Sequence, residues 1–125
     1  MPTTATEKVT RAHERSVTAS TADIARYLQE VLGPKLTAHL AGKSNARTVT
    51  TWASGTNKPQ PDAEERLRLA YQVVHLIQAD ESLHVVRAWL IGLNPQLDDE
   101  APATAIREGR FKEVLTAARA FIAGG

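Results

Sequence analysis

Between residues 44 and 58 the chain reads SNARTVTTWASGTNK, a run in which hydrogen-bonding side chains outnumber apolar ones. Arg47 can donate two hydrogen bonds to a guanine edge, and Asn45 can pair with adenine or meet a phosphate. The hydroxyls and methyls of Thr48, Thr50 and Thr51 can meet base edges or the thymine methyl group. Ser44, Ser54 and Lys58 suit the sugar-phosphate backbone, whose contacts set register and salt dependence while base contacts set sequence choice. The chemistry on offer is recognition of nucleic acid, although a polar helix rich in threonine is also what a solvated face looks like.

Other reactive side chains form no comparable set. His13, His39, His75 and His84 are scattered, and none falls in a ligand spacing such as H-E-x-x-H. There is no cysteine nucleophile, no glycine-rich phosphate loop and no G-x-S-x-G elbow. Asp98 and Asp99 could hold a cation or move protons, but adjacent carboxylates in a proline-flanked loop are usually solvated. The expectation is a binding protein, not an enzyme, with no metal and no cofactor.

The polar run needs a helix to present it. Val49 and Trp52 lie three apart, on one face of a helix running from Asn45 to Ser54, with Ser44 as its cap and Gly55 closing it. Before it, Leu36 and Leu40 stack one turn apart in a short helix from Lys35 to Ala41, so the two would form a helix, tight turn and helix. Further upstream, Ile24, Tyr27, Leu28, Val31 and Leu32 follow the helical period behind a Ser20 or Thr21 cap, and Gly33-Pro34 stops them. Downstream, Pro61 with Asp62, Glu64 and Glu65 favours a helix start. Leu67, Ala70, Tyr71, Val74 and Ile77 form its main stripe, widened by Leu69, Val73 and Leu76. A helix apolar on two sides reads as the spine between two halves. From Ser82 a helix carries Leu83, Val86, Trp89 and Leu90. A turn at 97–100, a short helix around Thr104 to Arg107 and a last one from Arg110 to Ile122 complete the chain, and no strand or repeat is evident. Residues 1–20, rich in Thr, Ser and Ala and without helical periodicity, read as a flexible arm.

With 125 residues, 42% apolar and 23% charged, the chain can bury one core or two small ones. The lack of cysteine removes disulfides and thiolate metal sites and fits a reducing compartment. No apolar stretch approaches the roughly 20 residues that span a bilayer, and the first residues lack the apolar run of a secretory signal. A cytoplasmic location with no membrane partner is expected. Net charge is only +1, but its distribution is uneven: residues 1–22 carry +1, residues 23–60 carry +3 and residues 61–125 carry −3. A basic middle and an acidic final section suit one part that meets nucleic acid and another that meets protein.

The spacing Ser44, Val49, Trp52, Gly55, followed by Lys58-Pro59, resembles the Xre and lambda-repressor type of helix-turn-helix over roughly residues 23–78. Lys43 departs from it, since an apolar residue is usual in that turn. Residues 84–125 carry a second resemblance, in Arg87, Ala88, Trp89 and Leu90, then Asn94-Pro95, Leu97, Pro102, Ile106, Gly109 and Val114. This segment is similar to the C-terminal domain of the MbcA/ParS/Xre antitoxins, which pair with RES-domain toxins that consume NAD. Asp98-Asp99-Glu100-Ala101-Pro102 stands where that family commonly has Gly-Gly-Arg-Ser-Pro.

The joint resemblance implies an all-α chain. It would have an arm at 1–20, a DNA-binding helix-turn-helix domain at 21–78, and a small toxin-binding helical domain at 79–125 joined through the long helix. It implies an antitoxin of the type II class that covers the active site of a RES-domain toxin and represses its own operon. Arg87, Arg107, Arg110 and Arg119 would then meet the toxin's cleft, and the last residues, Phe121, Ile122, Gly124 and Gly125, could enter it. Operator DNA, the toxin and a homodimer or larger toxin–antitoxin complex are the expected partners, because paired half-sites favour a two-fold dimer. The alternatives are a stand-alone helix-turn-helix repressor whose C-terminal helices only dimerise, and a module that docks protein instead of DNA.

Overall fold

The computed structural model of the protein, which describes residues 4–124, is all-helical. Helix α1 spans Ala5–Thr18, α2 Thr21–Leu32, α3 Pro34–Leu40, α4 Ala46–Ala53 and α5 Pro61–Gln78. After these come α6, Leu83–Ile91, a 3-10 turn at Pro95–Leu97, α7, Pro102–Arg107, and α8, Phe111–Ile122. Among the described residues the only strand-like pairing is an isolated bridge between Asn94 and Glu100, and no helix is long and apolar enough to cross a membrane.

Local chemistry sets most of these boundaries. The side-chain oxygens of Thr4, Ser20, Asn45 and Ser82 each accept from a backbone N–H in the first turn of the helix they precede, satisfying donors with no partner inside the helix. Pro34, Pro61 and Pro102 open α3, α5 and α7, where their fixed φ and missing N–H cost nothing. Gly42 closes α3 at φ +86°, a left-handed conformation that lets the Lys43 N–H reach back to the Ala38 carbonyl at 2.8 Å. The sequence places the cap of α4 at Ser44; the structure puts it one residue later, at Asn45, whose Oδ1 accepts from the Arg47 N–H at 2.9 Å.

The largest difference from the sequence reading is α1. Residues 1–20 lack an obvious apolar stripe, yet residues 5–18 form a helix that docks along α5 through the small, buried Ala12 and Ser16. Small side chains at these positions let the two backbones approach. Long-range contacts complete the docking: Arg68 Nη1 donates to the carbonyls of Ser16 at 2.7 Å and Ala19 at 2.9 Å, and Lys8 pairs with Asp80. Because these partners lie about fifty or more residues away, a periodicity reading within 1–20 has no access to them.

Helix α5 is the spine. Its Leu67, Ala70, Val73, Val74 and Ile77 are fully buried, and it packs against α1, α2 and α8. The buried residues of all eight helices belong to one contiguous core, from Ala12 of α1 to Ala118 of α8. Apolar contacts therefore run across residue 78, where the boundary between the two halves is expected.

Candidate functional site

Helix α4 lies on α2 and α3 with Val49 and Trp52 turned inward, at 0% and 4% exposure. Burial of these two residues fixes the rotation of the helix, because neighbours three and four apart share a face. The opposite face is consequently outward: Arg47, Thr50 and Ser54 are exposed, and Thr51 stands half-buried among them. Ser44, Asn45 and Lys58 are exposed at the two ends of this face, and Thr48 is half-buried at its side. The structure thus brings all eight candidate nucleic-acid residues onto one helix and its flanks. A shallow depression of about 230 Å³ between Asn45, Arg47, Thr48, Thr51 and Asn57 runs along it.

Hydrogen bonds inside this set narrow what each member can do. Asn45 Oδ1 is occupied as the cap, so its amide group is the readier donor to a partner. Thr51 Oγ1 donates to the Thr48 carbonyl at 2.7 Å and keeps lone pairs for accepting, whereas Ser54 Oγ is shared between the Thr51 carbonyl at 3.1 Å and the Thr56 hydroxyl at 2.8 Å. Arg47 forms no ion pair among the described residues. From residue 31 to residue 61 the chain has Lys35, Lys43, Arg47 and Lys58 and no acidic side chain. The segment around α4 is therefore cationic, and the outward face of the helix is rich in hydrogen-bonding groups.

Arginines from other helices hold the C-terminal end of α4 and the turn that precedes it. Arg26 of α2, paired with Asp23 at 2.7 Å, donates from Nη2 to the Ala53 carbonyl at 3.3 Å. The Ser20 hydroxyl and the Arg26 guanidinium hold the Asp23 carboxyl below its ordinary value. At the other end Arg107 of α7 donates from Nη1 to the His39 carbonyl at 2.7 Å and the Lys43 carbonyl at 3.3 Å, in the turn between α3 and α4. His39 Nε2 in turn lies 3.1 Å from Thr104 Oγ1 of α7, and burial followed by the nearby Arg107 charge lowers the His39 pKa.

The residues expected to meet a protein partner do not gather in one place. Arg87 and Arg119 are exposed on α6 and α8, and Gly124 is exposed past the end of α8. Phe121 and Ile122 are half-buried and pack against the core, with the Phe121 ring 6.2 Å from that of Trp89. Arg107 is turned to α3, as described. Arg110 is the hub of an ionic cluster, bonded to Glu113, to Glu100 at 2.7 Å and to Asp98 at 3.4 Å. Glu113 first, then Glu100, raise its already high pKa, so it remains a cation throughout. Gly125 lies outside the described residues.

Asp98 and Asp99 both adopt left-handed backbone, at φ +59° and +64°, and the Asp99 N–H donates to the Asn94 carbonyl at 3.0 Å. The Asp98 carboxylate serves Arg110, and among the described residues no group of three or more His, Asp or Glu side chains is arranged to hold a metal ion.

A surface missed in the sequence lies beside α6. Ile91 is 62% exposed and Leu93 77%, and next to Leu93 a groove of about 300 Å³ runs between Trp89, Pro95, Ala117 and Phe121. Ile91 lies off the stripe set by Leu83, Val86 and Leu90, whereas Leu93 continues that spacing and is exposed because α6 ends at Ile91. No family model, curated protein or solved structure matches this chain.

Proposed function

We propose that the protein acts by binding, as an antitoxin that represses its own operon through α4 and neutralises a RES-domain NAD-degrading toxin by covering the toxin's active site with its C-terminal helices. The observation that carries the DNA half is the orientation of α4, with Val49 and Trp52 inward and Arg47, Thr50 and Lys58 outward. The short turn before α4 and its outward polar face support a helix-turn-helix reading, in which such a helix enters the major groove. The toxin half rests on the likeness of residues 84–125 to the MbcA/ParS/Xre antitoxins, and the exposed Ile91 and Leu93 supply the apolar surface such a complex needs. Steric blockade requires no catalytic group from the blocker. On this reading the chain works in the cytoplasm as a dimer or within a larger toxin–antitoxin complex.

Co-expression with the product of the neighbouring gene tests this reading. A stable complex that relieves toxicity and NAD loss is the expected result. With Arg47→Ala and Thr50→Ala combined, operator binding should disappear while neutralisation persists.

A second reading is favoured by the same apolar patch. Ile91, Leu93 and the Trp89–Phe121 groove suit another copy of this chain as well as a toxin, which would make the protein a stand-alone repressor dimerised through α6 and α8. A homodimer that binds DNA at full affinity and captures no neighbouring gene product supports it.

A further inference from the structure

We propose that Arg107 is a positioning residue for α4, through which the C-terminal helices fix the turn that aims the DNA-facing helix. This inference rests on the DNA reading given above.

The turn between α3 and α4 is short, and its carbonyls are left over when α3 ends. The His39 carbonyl accepts from the Gly42 N–H at 3.1 Å and from Arg107 Nη1 at 2.7 Å; the same Nη1 reaches the Lys43 carbonyl at 3.3 Å. One guanidinium nitrogen from α7 therefore spans both sides of Gly42, the residue whose left-handed φ reverses the chain. Arg107 makes no ion pair with a carboxylate among the described residues, so its charge is directed to these carbonyls and to the C-terminal end of α3, where the helix dipole favours a cation.

Arg107 is itself held. Its carbonyl accepts from Arg66 Nε of α5 at 2.9 Å, and Thr104, one turn earlier, meets His39. A rotation of α4 by one residue would turn Arg47 and Thr50 away from a groove, so the position of the turn decides whether the polar face is usable. The resemblance assigns Arg107 to a toxin; the geometry assigns it to the end of α3 and the turn that leads into α4.

Arg107→Ala, Arg107→Lys and the charge control Lys112→Ala, made in the full chain, test this. Lys112 is exposed on α8 and outside the candidate sites. Amide hydrogen exchange is read at Gly42 and Lys43, and affinity is measured for a duplex that the wild-type chain enriches from a random pool. In R107A the two turn amides should exchange about tenfold faster while those of Val74 and Leu76 hold, and duplex affinity should fall about tenfold, the effect of losing hydrogen bonds from a charged donor. The slope of log affinity against log salt should stay at the wild-type value, because Arg107 meets no phosphate; R107K should fall between, and K112A should match wild type.

A slope reduced by about one in R107A with turn exchange unchanged would make Arg107 a direct phosphate contact and overturn the proposal. Normal enrichment with neither turn exchange nor affinity altered in R107A overturns only the role of Arg107. A wild-type chain that enriches no duplex overturns the DNA reading itself.

Discussion

The guanidinium of Arg68, on α5, donates to the carbonyl of Ser16, on α1, across 2.7 Å and 52 positions of sequence. The same Nη1 reaches the Ala19 carbonyl, and Nη2 the Thr21 hydroxyl, so one side chain closes α1 and joins it to α2. Arg68→Ala should lower unfolding free energy by about 1.5–3 kcal/mol, the usual range for hydrogen bonds from a charged donor. It should also make residues 5–18 the first site of limited proteolysis. Denaturant titration and mass mapping check both; an unchanged midpoint with α1 still protected would show that the packing of Ala12 and Ser16 with the Lys8–Asp80 pair holds the helix without Arg68.

On α4 the two faces should separate stability from binding. Trp52→Ala removes a side chain that is 4% exposed and should cost about 3–5 kcal/mol. Arg47→Ala, on the exposed face, should leave the thermal midpoint nearly unchanged and weaken binding of an enriched duplex by about 1–3 kcal/mol, at a single base position. Lys58→Ala should weaken all sequences alike and reduce the salt slope by about 0.9. If Arg47→Ala unfolds the protein and Trp52→Ala does not, the helix is turned the other way.

Acidification should destabilise the fold through two histidines. Burial and then the Arg15 charge lower the His75 pKa; burial and then Arg107 lower that of His39. Arg15 Nη1 lies 2.9 Å from His75 Nδ1, which must therefore accept, so the neutral ring is the one that fits. A histidine whose folded pKa is depressed binds fewer protons folded than unfolded. Its contribution is thus complete above the ordinary value of about 6.5 and is lost as pH falls through that value toward the folded one. Thermal midpoints at about pH 7.5 and about pH 5.5 should differ, and the gap should shrink in H39Q/H75Q. An equal gap in the double variant would assign the loss to carboxylates.

The patch beside α6 should govern association. Leu93→Asp, at a position 77% exposed, should leave folding stability within about 0.5 kcal/mol of wild type, as substitutions outside the core usually do. The same change should abolish self-association or capture of a partner, read by light scattering and pull-down. Retention of both would place the interface elsewhere.

Much of this architecture can be read from one sequence because its signals are local. Ser20, Ser82, Pro61 and Gly92 mark helix ends through chemistry within a few residues, and the inward pair Val49 and Trp52 follows from spacing alone. Helix α1 does not, since its determinants, Arg68 and Asp80, sit on or just beyond another helix. The same holds for Arg107 and Arg110: an arginine in a list of charges gives no sign whether it will face water, a carbonyl or three carboxylates. The eight residues around α4 share one helix, so spacing keeps them together in space. The C-terminal candidates are spread over three helices and a tail, and only tertiary packing decides their neighbours.

The contiguous core has a consequence for how the gene can be divided. Helix α5 packs against α1, α2 and α3 on one side of the chain and α6, α7 and α8 on the other, so severing the polypeptide between Gln78 and Leu83 would uncover apolar surface on both pieces. Neither fragment is expected to hold its shape alone, and mixing the two should restore it.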